Sequence, residues 1–227
     1  MNSTSEQGHG EDFENEVIFS LTGKTKKDYE KLIPNGYTSQ LDIHKGILGV
    51  EFNGSVKTTG SDSVGCGSIL DRHTECKELD FTFIIGKWKQ VGKNKTYREI
   101  YEFYYNPSYY DLFWSGIQYD TLEEFVKYVA DIPKTAEAGK ANRQLWKDKR
   151  TKIYKDEGQG LMAIDGKVSG YGVKHPKSGN RRVQRSFKIS EAIEAGSPYK
   201  LYTDVYRDIC LPYIQESASR TFNNGKR

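Results

Sequence analysis

Three cysteines in 227 residues, Cys66, Cys76 and Cys210, are too few and too odd in number for a disulfide framework. No apolar run approaches the ~20 residues that a membrane span requires. The opening stretch MNSTSEQGHGEDFENE has neither the basic start nor the apolar segment of a secretion signal. These absences predict a soluble protein of a reducing cytoplasm, with no membrane partner. There is no internal repeat, and no strong charge of one sign: 34 basic residues against 31 acidic leave a net charge of +3. That balance neither demands nor excludes a nucleic-acid partner, so the distribution of charge matters more than its sum. Hydrophobic residues are scarce at 36%, yet 13% aromatic content with 16 tyrosines argues against disorder.

What is present reads as mixed α/β. The length suits a single domain over 1–227, with loose polar tails at 1–10 and 217–227. Phe13, Val17, Ile18 and Leu21 recur at helical spacing, and Gly23 supplies a stop. TKKDYEKLIPNG predicts a second short helix. SDSVGCGSILDRHTECKE reads as a loop entering a short helix. LDFTFIIGKWKQV and TYREIYEFYYN, dense in aromatic and β-branched residues, predict a hairpin. DTLEEFVKYVADIP is an amphipathic helix with Leu122, Phe125, Val126 and Val129 on its core stripe, capped by Asp120 or Thr121. A basic helical stretch follows, carrying Lys140, Arg143, Lys147, Lys149, Arg150 and Lys152. Strands around Gly-rich turns come next, and KLYTDVYRDICLPYI is helix-like.

The chain is organised around Gln40–Gly60. Val50, Phe52, Gly54 and Val56 alternate with Glu51, Asn53, Ser55 and Lys57, which predicts a half-buried strand paired with LDIHKGI. Hydrolysis of a phosphodiester needs divalent cations held by carboxylates and a cation beside the attacking water. Glu14 in the first helix, Asp42 at the head of one strand and Lys57 in the next supply those types in that order.

In this order and spacing the sequence resembles the PD-(D/E)XK nuclease superfamily and, within it, the type II restriction endonucleases. The resemblance rests on GHGEDFENEV, LDIHKGI and NGSVKTTG, about the first quarter of the chain. It departs from the family pattern at Ser55, where an acid usually stands two residues before the lysine. Glu51 shares the face of Lys57 but lies six residues away, roughly 20 Å along a regular strand. Two registers therefore compete. In one, Asp42 and Lys57 are catalytic, Ser55 fills the acid slot, and Glu14 or a neighbouring strand completes the metal site. In the other, Asp42 and Glu51 bind the metal, Asn53 stands at the lysine position and Lys57 is a bystander. Glu99 and Glu102 are alternative carboxylates; they fall on opposite faces of a strand, so that one of them is expected at the surface.

Two further groups stand out. Cys66, His73 and Cys76 are zinc-ligand types, but with no visible fourth ligand and no common finger spacing the ordinary reading is buried small side chains. The stretch VKHPKSGNRRVQRSFKIS crowds Lys174, Lys177, Arg181, Arg182, Arg185 and Lys188 around a turn and the strand leaving it, with Gln184 among them. Arginine and glutamine read base edges in the major groove, and lysines in a turn pair with phosphates. A lysine-rich edge strand guarding against aggregation is the alternative.

The resemblance implies a mixed central sheet flanked by helices and a sequence-specific endonuclease of double-stranded DNA. It implies Mg2+ held by Asp42 with Glu51 or Glu14, and products with 5′-phosphate ends. A homodimer on a palindromic site, a recognition portion within 134–200, and a bacterial or phage restriction–modification context are further expectations. No organic cofactor is implied. A non-catalytic DNA-binding protein, or a nuclease of the same core with a repair, homing or RNA target, are the alternatives.

Overall fold

The computed structural model describes residues 5–33, 41–91, 94–169, 180–203 and 222–223, without the side chains of 5–11, 90–96, 136, 166–182 and 222–223. The elements in chain order are α1 (Ser5–Thr22), α2 (Lys26–Glu30), β1 (Gly54–Thr59), β2 (Ser63–Ser68), α3 (Ile69–Glu78), β3 (Phe81–Val91) and β4 (Asn94–Tyr105). After a 3-10 turn at Pro107–Tyr109 come α4 (Tyr110–Trp114), α5 (Tyr119–Asp131) and α6 (Ala136–Glu157). β5 (Ala163–Ser169), β6 (Asn180–Lys188), α7 (Ile189–Glu194), β7 (Tyr199–Tyr202) and β8 (Phe222–Asn223) complete them. The chain divides into two compact units, one formed by 1–64, 80–106 and 189–227, the other by 65–79 and 107–188. The fold is mixed α/β with a mixed sheet flanked by helices.

The first unit is built on a sheet of order β1-β3-β4-β7, with β8 also pairing β4. β1 runs parallel to β3, while β3 with β4 and β4 with β7 are antiparallel. The β3–β4 hairpin follows from its aromatic and β-branched density, and its register shifts between Lys87 and Trp88. α1 lays Phe13, Val17 and Ile18 against Val56, Ile84, Tyr97 and Ile100. Gly86 lets it approach: a Cβ there would meet ring carbons of Phe13 and Tyr97 at 2.8 Å. The helix starts at Ser5, inside the expected polar tail, and Gly23 ends it at φ +68°.

Three expectations are corrected here. The alternating run beginning at Val50 is not strand until Gly54. Gly46 and Gly49 at positive φ, with Leu48 at φ 53°, fold the preceding residues into turns, and the backbone of the Asp42 segment pairs with β1 through an isolated bridge of Ile43 to Gly54 in place of a strand ladder. Ser63–Ser68 is a strand rather than a loop, with Val64 and Cys66 buried in alternation. Tyr199–Tyr202, expected as helix, is β7 on the edge of the sheet, and the segment after Thr203 to 221 lies outside the described residues.

The second unit holds a three-stranded sheet of order β2-β6-β5, with β5 and β6 antiparallel. In α5, Leu122, Phe125 and Val129 are buried as their spacing predicts, while the N-cap is Gln118, ahead of the expected Asp120 or Thr121. Glu157, in the last turn of α6, reaches that end of α5: it accepts from the Gln118 N–H at 2.8 Å and from the Thr121 hydroxyl. A carboxylate there meets unpaired N–H groups and the positive end of the helix dipole.

Candidate active site

The site in the first unit is assembled at the open edge of β1. Gly54 makes the junction: its carbonyl accepts from the N–H groups of Asp42 and Ile43 at 2.8 and 3.0 Å, and its N–H donates to the Ile43 carbonyl at 2.9 Å. A Cβ at this glycine would stand 3.0 Å from Ile43, so the close crossing depends on a residue without one. From the other side, the fully buried Tyr29 of α2 accepts a hydrogen bond from the His44 N–H at 2.9 Å. The Asp42 segment is thereby pinned between β1 and α2.

So held, the Asp42 carboxylate accepts from the Val56 N–H at 2.6 Å and from the Lys57 ammonium at 3.0 Å. The Ser55 hydroxyl stands 3.5 Å from the same oxygen. Lys57 also donates to the Val56 carbonyl at 2.9 Å. Glu14 projects from α1 toward this group and pairs with Lys26, the first residue of α2, at 2.8 Å. Lys26 is also 3.8 Å from Glu30.

The charges feel one another. Burial raises the Glu14 carboxyl to about 7, and the negative charge of Asp42 adds to it, against the opposing pull of Lys26 and Lys57. Burial works against the charge on Lys26, but its hydrogen bond to Glu14 and the charges of Glu14, Glu30 and Asp42 outweigh it. Its pKa is held above the ordinary lysine value.

Asp42 and Lys57 are thus brought into contact, with Ser55 beside them, and Glu14 lies within reach of their charges. Glu51 has no contact with this group: it is exposed in the irregular segment before β1, and Asn53 is spent on structure. Asn53 accepts from the Lys45 N–H at 3.0 Å and donates to the Asp80 carbonyl at 3.2 Å. The register built on Asp42, Glu51 and Asn53 has no counterpart in this geometry. Glu99 pairs with Lys87 at 3.3 Å, and Glu102 accepts from the Tyr104 hydroxyl. Lys26 escaped the sequence reading, since nothing in KKDYE marks which helix its first lysine will meet.

The oxygen donors here suit a hard cation. Mg2+ prefers oxygen ligands, binds through one or two carboxylates and keeps several waters. Glu14 and Asp42 are two carboxylates whose mutual repulsion a divalent charge would relieve, and the Val56 carbonyl shares the Lys57 ammonium with Asp42. Among the described residues no group of three or more His, Cys, Asp or Glu is placed to hold a metal. The donor set is therefore a pair of carboxylates with neutral oxygens.

Cys66, His73 and Cys76 form no such group either. Both cysteines are buried, and His73 Nε2 is engaged by the Ile117 carbonyl at 2.9 Å and the Tyr110 hydroxyl at 2.6 Å. Cys210 lies outside the described residues.

Of the basic stretch, Lys174 and Lys177 lie outside the described residues, as do the side chains of Arg181 and Arg182 on β6. Gln184 is half-buried and Lys188 exposed. Arg185 is a correction. It shares a face with Val183 and Phe187, is 0% exposed, and stacks its guanidinium 3.9 Å over the Trp114 ring. Its three guanidinium nitrogens have no hydrogen-bond partner, and burial pushes its pKa down to about 10. β6 is moreover the central strand of its sheet, not an edge. Among the described residues no helix is long and apolar enough to cross a membrane. No protein-family model, no curated protein and no solved structure matches this chain.

Proposed function

We propose that this chain is a divalent-metal-dependent endonuclease that hydrolyses phosphodiester bonds of double-stranded DNA, of the type II restriction kind. The observation that carries the reading is the ion pair of Asp42 and Lys57 at one sheet edge, with Glu14 from a third segment lying within reach of their charges. Glu14 and Asp42 would hold Mg2+, with the Val56 carbonyl as a neutral donor. The bound ion would supply Lewis-acid stabilisation of the phosphoryl oxygens and a more acidic water. Lys57, oriented by Asp42 and the Val56 carbonyl, would place a positive charge beside the attacking water, favouring its hydroxide-like form, and beside the equatorial oxygens of the pentacoordinate phosphoryl group, where negative charge develops. Ser55 takes the position usually held by an acid and offers a hydroxyl instead.

The finer reading follows the same resemblance. Cleavage leaves 5′-phosphate ends, and the enzyme acts as a homodimer on a palindromic site, in the cytoplasm of a bacterial or phage-infected cell. Arg181, Arg182, Gln184 and Lys188 of β6, with Lys174 and Lys177 before it, carry DNA contact. Arg185 serves the interior instead.

A second reading, a DNA-binding protein without catalysis, draws on Ser55, because it leaves the site one carboxylate short of the usual pattern. Incubation with plasmid and long phage DNA in Mg2+ and in EDTA separates the two. Discrete, reproducible fragments in Mg2+ alone support the endonuclease. Intact DNA that is retarded in a gel supports the binding protein.

A further inference from the structure

Lys26 is a cation of this site that the catalytic reading leaves without a role. Its ammonium lies 2.8 Å from the Glu14 carboxylate, the oxygen donor that a divalent cation would need. It also lies within the field of Asp42, and Glu30 stands 3.8 Å away on the same short helix. Its place is built. The Thr25 hydroxyl caps α2 at the Asp28 N–H, and the Lys26 N–H donates to the Asn15 side chain at 2.9 Å, which ties this end of α2 to α1. The lysine is therefore fixed against the residue next to Glu14 in the chain, and is not a wandering surface group.

We infer that Lys26 is a displaceable counter-ion, a positioning residue that occupies the Glu14 carboxylate in competition with the divalent cation and surrenders it when the cation binds. The inference rests on the metal site proposed above. Its electrostatic logic is short. With Glu14 ionised, Glu14 and Asp42 carry two negative charges, which Lys26 and Lys57 balance. A divalent ion entering this group makes it strongly positive unless a lysine withdraws, and a phosphodiester then restores the balance. Removing the Lys26 charge should relieve the repulsion that the entering ion feels. At a separation of a few ångströms and an effective dielectric near 20, that repulsion is large enough to change affinity by about tenfold or more.

The test is direct binding of Mn2+ to the full chain, read from the free-ion signal in electron paramagnetic resonance at pH 8.5, without DNA. Lys26→Met should bind Mn2+ at least about tenfold more tightly than the wild type, and Lys26→Arg should stay close to it. A merely structural lysine would weaken binding when removed, so equal or weaker binding by a folded Lys26→Met overturns the inference. Wild-type protein that binds no Mn2+ sinks the metal-site reading itself, and this inference with it. Should Lys26→Met fail to fold, the lysine ammonium 15N resonances of the wild type carry the decision, with Lys26 assigned from Lys26→Arg. Loss of the Lys26–Glu14 hydrogen bond on adding Mg2+ supports displacement; its persistence at saturation overturns it.

Discussion

Asp42 and Lys57 close an ion pair of 3.0 Å across fifteen residues of chain, on a carboxylate oxygen that also accepts the Val56 N–H. The lysine is thereby aimed by two acceptors, Asp42 and its neighbouring carbonyl. The pair is only partly exposed, at 20% and 17%, so its geometry is set by the junction at Gly54 more than by solvent.

Lys57→Ala should therefore leave the fold and DNA binding largely intact while removing the charge beside the reacting phosphate. Cleavage in Mg2+ should fall by about 10²–10³-fold or more. Binding is measured in Ca2+ by gel retardation and cleavage on the same substrate. Cleavage at the wild-type rate would remove Lys57 from the reaction.

Glu14 predicts a pH signature of stability. Its folded pKa, about 7, lies above the ordinary value of 4.5, so the folded state holds a proton that the unfolded chain has released between those values. The stability this confers is full below about pH 4.5 and is lost as pH rises to about 7, a change of about 3 kcal/mol. Glu14→Gln should lack that loss. In metal-free buffer, the melting temperature of the variant relative to wild type should rise across this window and level off above it. A flat difference would show that burial and Asp42 do not raise this carboxyl.

Arg185 separates an interior role from a DNA-reading one. Its guanidinium makes no hydrogen bond and stacks on Trp114, so an apolar side chain of similar reach removes a burial cost. Arg185→Met should be neutral or more stable by about 1–3 kcal/mol, with DNA affinity unchanged. Arg185→Ala should lose about 2–4 kcal/mol through the cavity left beneath Trp114. Denaturant melts and gel retardation check both. A selective loss of DNA affinity in a stable Arg185→Met would return this residue to the recognition set.

Gly86 tests how far the site depends on packing. A methyl group there would force Phe13 and Tyr97 away from contacts at 2.8 Å and lift α1 at the turn that carries Glu14. Gly86→Ala should cost about 1–3 kcal/mol and weaken Mn2+ binding, although Gly86 touches no proposed ligand. Unchanged stability would mean that the helix adapts without moving its core stripe.

Elements whose signal is local were legible in the chain. The β3–β4 hairpin is written in its dense β-branched and aromatic residues, α5 in the spacing of Leu122, Phe125 and Val129, and the end of α1 in Gly23. Local periodicity states which face of an element is apolar. The same rule placed Arg185 on the face of Val183 and Phe187, where its charge gave the opposite signal and tertiary packing overrode it. Which polar groups meet is a different matter, because it depends on where the chain crosses itself. The glycines around Leu48 turned a strand-like alternation into loops and left Glu51 in solvent, a choice of backbone conformation that side-chain alternation does not record. The types and order of Glu14, Asp42 and Lys57 were legible in the chain. Their convergence, and the arrival of Lys26 among them, were decided only by the Gly54 junction and the Tyr29 contact that hold the Asp42 segment between a sheet edge and α2.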